Sequence, residues 1–325
     1  MPPTDAILTI TLNPTIDLSN DVARIVPTHK MRVRNQRQDV GGGGINVARV
    51  IAELGGEADV AVLAGGATGA ILVDMLEALP LGLHVFPIKG AVRIAFMVHD
   101  DESGLEYRFV PDGPVVSPVE VEPVLHLIEQ SWAPYVVASG SLPRGVSSDI
   151  YARMARQTSA SDGRFVLDAS GEALSAAIAE GGIYLFKPSL SELERLVGHG
   201  LDIEAAGAVA ADLVARGVTR YVALTLGEEG ALLVGPEGRL QMPAIKVKVV
   251  SAVGAGDSFV RAIVWALSKG QDIREAFRFG LAAGAAAVMT EGTELCRRAD
   301  ILRLYDEACA ARHAQEVGAW LSAEV

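Results

Sequence analysis

Short β-rich runs separated by stretches of helical period recur along almost the whole chain, and that alternation narrows the available folds more than any other feature. The runs AILTITL (6–12), ADVAVLAG (58–65), YVVAS (135–139), RFVLDAS (164–170), IYLFK (183–187) and RYVALTLG (220–227) are strand-length and apolar. Between them lie helical patterns such as INVARVIAELG (45–55) and AAGAVAADLVARG (205–217). Strands joined through helices need crossover connections, so they pair in parallel and bury both faces of their sheet. The expected class is α/β, a doubly wound, mostly parallel sheet flanked by helices. Half of the 325 residues are hydrophobic, which suffices to fill such a core.

Two segments break the rhythm. Residues 17–40 are polar and arginine-rich, and within 91–112 the runs RIAFMVHD and LEYRFV flank the turn-forming DESG as in a hairpin. Together they read as a small β-lid over the end of the sheet, carried by a single domain spanning 1–325. After residue 227, EEGALLVGPEGRLQMPA reads as antiparallel strands joined at Gly235–Gly238, and from Gly256 onward the pattern is largely helical.

A formal net charge of −12 argues against nucleic acid or an anionic membrane as partner, since neither attracts an acidic body. No run approaches the roughly 18 apolar residues of a membrane span, and MPPTDAILTITLNPTID lacks the basic start of a secretion signal. Cys296 and Cys309 form no paired motif, and the histidines show no metal-ligand spacing, so reduced thiols and a cytoplasmic setting are expected.

Ligands of open α/β sheets bind beyond the carboxyl ends of the strands, and four loops there are unusual. GGGGINVAR begins with Gly41, Gly42, Gly43 and Gly44, whose backbone freedom is costly unless something approaches the chain closely, with Asn46 on the next helical turn; the alternative is a flexible turn. SGSLPRG (139–145) is a strand end breaking into hydroxyls, or a plain turn. In FKPSLSEL, Ser189 and Glu192 have capping-box spacing at a helix start, beside Lys187. In SAVGAGDSFVRA, small residues precede a helix whose bare N–H groups and dipole would seat an anion, yet Asp257 stands among them. That is either an acid placed favourably against a helix dipole or a site where negative charge is managed during a reaction.

Taken in order along the chain, GGGGINVAR, SGSLPRG, KPSLSEL and VGAGDS resemble the PfkB carbohydrate kinases of the ribokinase-like fold, with TLNPTID similar to their 1-phosphofructokinase and tagatose-6-phosphate kinase branches. The resemblance implies transfer of a phosphoryl group from ATP, with Mg2+, to a sugar phosphate. The acceptor it points to most closely is fructose 6-phosphate at its C1 hydroxyl, with tagatose 6-phosphate or fructose 1-phosphate as alternatives. It implies that Gly254, Ala255 and Gly256 face the phosphoryl group in flight while Asp257 accepts the hydroxyl proton. Asp17, Gly42, Gly43 and Asn46 would hold the sugar, and Lys30, Arg32, Arg93 and Ser141 its phosphate. Lys187, Ser189, Glu192, Thr225 and Gly227 match nucleotide and magnesium positions, and Ser251, Val253, Thr290 and Gly292 match a monovalent-cation site for K+. Relatives of this type pair through their lids, so a homodimer is expected. No P-loop, protein-kinase or G-x-G-x-x-G motif competes with this scheme.

Three positions depart from the family pattern: Ser189 where Asn is usual, Ala252 where Thr is common, and Arg261 where a small residue is usual. Arg261 follows Asp257 by four residues and so shares its helical face. It would clamp the carboxylate and raise activity when removed, grip a bound phosphate, or extend to solvent. The departures also keep open a second class, a catalytically impaired binding or regulatory protein.

Overall fold

The computed structural model describes residues 7–250, 254–290 and 296–322. Strand β1 (Ile7–Thr11) leads into β2 (Thr15–Val22) and β3 (Arg34–Gly41), then helix α1 (Gly43–Glu53), β4 (Ala58–Ala64), α2 (Gly66–Glu77) and β5 (Gly82–Pro87). A hairpin of β6 (Arg93–Asp100) and β7 (Leu105–Phe109) follows, then α3 (Pro118–Gln130), β8 (Tyr135–Ser139), α4 (Ile150–Ala160), β9 (Arg164–Asp168), α5 (Gly171–Glu180) and β10 (Ile183–Phe186). The chain continues through α6 (Leu190–Val197), α7 (Ile203–Ala215), β11 (Thr219–Thr225), β12 (Ala231–Gly235) and β13 (Gly238–Met242), and ends in α8 (Ala255–Ser268), α9 (Ile273–Ala287) and α10 (Arg298–Ser322).

Nine strands form one sheet in the order β13-β12-β11-β10-β9-β8-β1-β4-β5, parallel from β11 to β5, with β12 and β13 antiparallel at one edge. The doubly wound α/β class expected from the alternation is the one observed. Alternate side chains along a strand enter opposite faces. Ile7, Val60, Val62, Val137 and Val166 join one core with α1, α2, α8 and α9, whereas Leu8, Ile10, Ala61, Val136 and Ala138 join another with α3, α4, α5 and α7. All six strands read from the sequence are present, within two residues at each end. Strand β5 was not among them. Its run GLHVFP has only half-buried and exposed residues, so the edge of the sheet leaves no apolar signature.

From β1 the chain builds β4 and β5 on one side, then returns to place β8 on the other. The strand order therefore reverses between β1 and β8, and the crevice there is where α/β sheets bind ligands. A second sheet of four strands, in the order β3-β2-β6-β7, grows directly from the carboxyl end of β1 through Asn13 and Pro14. It comprises strands from the two segments that broke the rhythm, extended to Thr15 and Gly41. Its hairpin turns at Asp100–Gly104, where the Gly104 N–H donates to the Asp100 carbonyl at 2.8 Å and Gly104 has φ of 68°.

Candidate active site

The carboxyl ends of β1, β8, β9 and β10 and the amino ends of α1, α6 and α8 converge. Gly254 adopts φ of 78° as the N-cap of α8, a left-handed conformation that suits glycine, and Ala255, Gly256 and Asp257 form the first turn. A side chain added to Gly256 would put Cβ 3.4 Å from Lys187 Nζ, so the lysine ammonium lies against this helix start. Lys187 Nζ pairs with Asp168 Oδ1 at 3.1 Å, and both side chains are buried. Ser139, at the end of β8, donates from Oγ to Asp168 Oδ2 at 3.4 Å. A Cβ on Gly43 would lie 2.2 Å from that same Ser139 Oγ, so only glycine lets the start of α1 dock here. An unbroken path of contacts thus runs from α8 through Lys187, Asp168 and Ser139 to α1.

Asp168 is the residue that the sequence reading did not single out. Burial pushes its carboxyl up to about 6, against the pull of Lys187, while the charges of Asp257 and Glu192 add to the rise. Burial works against the Lys187 ammonium, but the three surrounding carboxylates outweigh it and hold its affinity for the proton above the ordinary value. In RFVLDAS an aspartate closes a strand of apolar residues, and an acid at the carboxyl end of a parallel strand was the available signal.

The capping box at α6 forms. Glu192 N–H donates to Ser189 Oγ at 3.3 Å, and Ser189 N–H donates to Glu192 Oε2 at 2.8 Å, which fixes the carboxylate close to the Lys187 end of β10. Thr225 lies alongside, its N–H donating to the Pro188 carbonyl at 3.0 Å. Gly227 follows at φ of 61°, facing open space. The five nucleotide positions read from the sequence therefore group at the ends of β10 and β11.

On the other side of the path stand the acceptor positions. Asp17 in β2 sits over Gly41, where an added Cβ would fall 2.2 Å from Asp17 Oδ2, so Gly41 as well as Gly42 and Gly43 is needed without a side chain. Burial raises the Asp17 carboxyl, with Arg108 and Arg93 and a Thr15 hydrogen bond opposing. Gly42, at φ of 123°, caps α1 and accepts from Asn46 N–H at 2.9 Å. Arg93 donates to the carbonyls of Asn13 at 2.9 Å and Pro111 at 2.8 Å and to Ser141 Oγ at 3.4 Å, while its Nε is buried without a partner. Asn13, also missed, ties this corner together through Nδ2, which donates to the Asp112 carbonyl at 2.9 Å and to Ser141 Oγ at 3.2 Å. Lys30 and Arg32 are exposed on the connection between β2 and β3 and are not joined to this cluster.

Thr290, buried just past α9, donates from Oγ1 to the Ala287 carbonyl at 2.9 Å. Its three companion positions, Ser251, Val253 and Gly292, and the departure Ala252, lie outside the described residues. Arg261 is described. Only 2 % exposed, it donates from a terminal nitrogen to Asp257 Oδ2 at 2.8 Å. Its burial is incompatible with extension to solvent, and it favours the clamp over a grip on a ligand in the cleft.

A glycine-seated helix start lies beside a buried lysine with carboxylates on both sides, an arrangement that suits the seating of an anion. The model of the pfkB family of carbohydrate kinases matches residues 10–300. The chain belongs to that family. It is 39% identical over 305 residues to ATP-dependent 6-phosphofructokinase isozyme 2 of Mycobacterium tuberculosis, covering 93% of this chain and 89% of that one. The crystal structure of phosphofructokinase-2 from Escherichia coli in complex with potassium superposes with a TM-score of 0.88 at 38% identity, over 93% of this chain and 98% of that one. The structure of the same enzyme in complex with fructose-6-phosphate gives a TM-score of 0.85 at 37% identity, over the same shares of both chains.

Proposed function

We propose that the chain is an ATP-dependent 6-phosphofructokinase, moving a phosphoryl group from ATP to the C1 hydroxyl of fructose 6-phosphate. The observation that carries the reading is the continuous path from Gly256 through Lys187, Asp168 and Ser139 to Gly43, which joins a nucleotide side to a sugar side across one anion seat. The similarity to the two named phosphofructokinases supports the choice of acceptor.

Phosphoryl transfer asks a protein chiefly for alignment and for positive potential where charge spreads over the transferring oxygens. The N–H groups of Gly254, Ala255 and Gly256 and the α8 dipole supply that potential, with the Lys187 ammonium beside them. Asp257 takes the proton of the acceptor hydroxyl. A carboxylate is a weak base for an alcohol, so the proton moves late and alignment does most of the work. Asp17 orients the sugar hydroxyls over Gly42, Gly43 and Asn46. Arg93 and Ser141, with Lys30 and Arg32 drawn in from the lid, meet the acceptor phosphate.

Mg2+ binds through one or two carboxylates together with nucleotide phosphates. Asp168, a buried acid crowded by Asp257 and Glu192, and Glu192 itself fit as its protein ligands, and the ion when bound supplies charge neutralisation at the phosphates. A K+ site at Ser251, Val253, Thr290 and Gly292 belongs to the same reading; of these Thr290 is described, and Val250, the neighbour of Ser251, donates from its N–H to the Val288 carbonyl at 2.7 Å. A cytoplasmic setting suits an acidic chain whose two cysteines are free.

The test is steady-state transfer from Mg-ATP to fructose 6-phosphate, tagatose 6-phosphate, fructose 1-phosphate, fructose and ribose. Preference for fructose 6-phosphate is expected. Equal or better turnover of another sugar would reassign the acceptor, and nucleotide binding without turnover of any would favour a regulatory protein.

A further inference from the structure

Arg261 heads the largest fully buried side chains of the described residues, yet it carries a charge into the interior between α8 and the elements packed on it. Burying a guanidinium is expensive unless it is paired, and burial accordingly depresses its hold on the proton. Among the described residues Asp257 is the one carboxylate with which it forms an ion pair, at 2.8 Å, and Nε has no hydrogen-bond partner. Other charged or polarisable groups within electrostatic reach include Asp168, the Cys296 thiol and a second cation, Arg49 on α1. None of these makes a hydrogen bond to Arg261. Among the described residues, Asp257 is therefore the group that the buried guanidinium serves.

The two partners differ in exposure. The Arg261 side chain is 2 % exposed and that of Asp257 is 45 %, so the arginine approaches the carboxylate from the protein side and leaves the cleft side open. The bond engages Oδ2 and leaves Oδ1 for another donor. An aspartate at a helix start ordinarily turns its carboxylate back onto the N–H groups of its own first turn. Here that would bring the carboxylate onto the N–H groups that the phosphoryl group needs. A charge-assisted bond from a buried side chain is strong enough to favour one rotamer.

We propose that Arg261 is a positioning residue, which holds Asp257 by Oδ2 so that Oδ1 faces the acceptor hydroxyl and the α8 N–H groups stay free for the phosphoryl group. The inference rests on Asp257 being the proton acceptor. It reverses one expectation of the sequence, that removing the clamp raises activity, because a wandering carboxylate loses alignment and competes for the anion seat.

The experiment compares Arg261→Met, which fills the volume without charge, Asp257→Asn and the double variant, with thermal melting as a check of folding and kcat and both KM values as readouts. Arg261→Met is expected to lower kcat by about 10²-fold, the scale of a 1 Å misplacement, with both KM values held within about twofold. In the Asp257→Asn background the same change is expected to cost nothing further, since a residue acting through Asp257 has nothing left to act on. A loss that persists undiminished in that background marks a general structural role and overturns the proposal, as does an unchanged or raised kcat in Arg261→Met. Full turnover in Asp257→Asn alone overturns the reading of Asp257, a distinct result. If Arg261→Met does not fold, Arg261→Leu, which likewise carries no donor, takes its place in the same comparison. A loss of kcat that disappears in the Asp257→Asn background supports the proposal, and a wild-type kcat in the donor-less variant overturns it.

Discussion

At the residue scale the centre is a problem of like charges. Asp168, Glu192 and Asp257 surround one lysine, and burial pushes the Asp168 carboxyl up to about 6. Protonation removes the charge that faces Lys187 and withdraws a ligand proposed for Mg2+. Activity is therefore expected to fall on an acid limb near pH 6 that higher Mg2+ partly offsets, measured as kcat/KM for Mg-ATP from pH 5 to 8. A flat profile across that range, with the protein still folded, would dismiss Asp168 from the role. Legibility was uneven at this scale. Asp257, Lys187 and Glu192 stood in motifs whose glycines and capping spacing announce a loop or helix start. Asp168 closes an apolar strand and Asn13 stands just beyond another, and what distinguishes them is spatial: the lysine that reaches one, and the arginine and serine that meet at the other.

At the element scale, the proposed chemistry falls at helix starts. Ser189 both caps α6 and anchors Glu192, so one hydroxyl serves stability and site geometry together. Ser189→Ala is expected to cost about 0.5–2 kcal/mol by loss of the cap. It is also expected to raise KM for Mg-ATP more than KM for the sugar phosphate, which calorimetry and initial rates would check. An unchanged melting temperature and unchanged KM would contradict both roles. Most elements were readable because their periodicity changes from alternation to helical spacing at glycine-rich boundaries. The starts of α1 and α8 were readable as well, because glycine runs stand before apolar helices. The close contacts that require those glycines were not, since the partners of Gly41 and Gly43, Asp17 and Ser139, lie far away in sequence.

At the scale of the whole molecule, the reversal of strand order between β1 and β8 opens the kind of crevice in which α/β sheets bind ligands, and the four-stranded sheet rises from that point. Its outer strand β7 is exposed along its length, with Leu105 and Phe109 each 57 % accessible and Phe96 44 % on the neighbouring strand. An apolar edge of this kind invites pairing. We propose that a second copy covers it. Replacing Leu105 and Phe109 by lysine is then expected to halve the mass seen by light scattering, and a wild-type protein monomeric at micromolar concentration would contradict pairing. The proposed reaction turns on α8, whose first turn would seat the phosphoryl group and present the base in one place. Its most direct test is Asp257→Asn, with kcat for transfer to fructose 6-phosphate and ATP affinity measured on the same preparation. A fall of about 10²–10⁴ in kcat, with ATP binding nearly intact, is expected. Full turnover, or a loss explained entirely by failure to bind ATP, would contradict it.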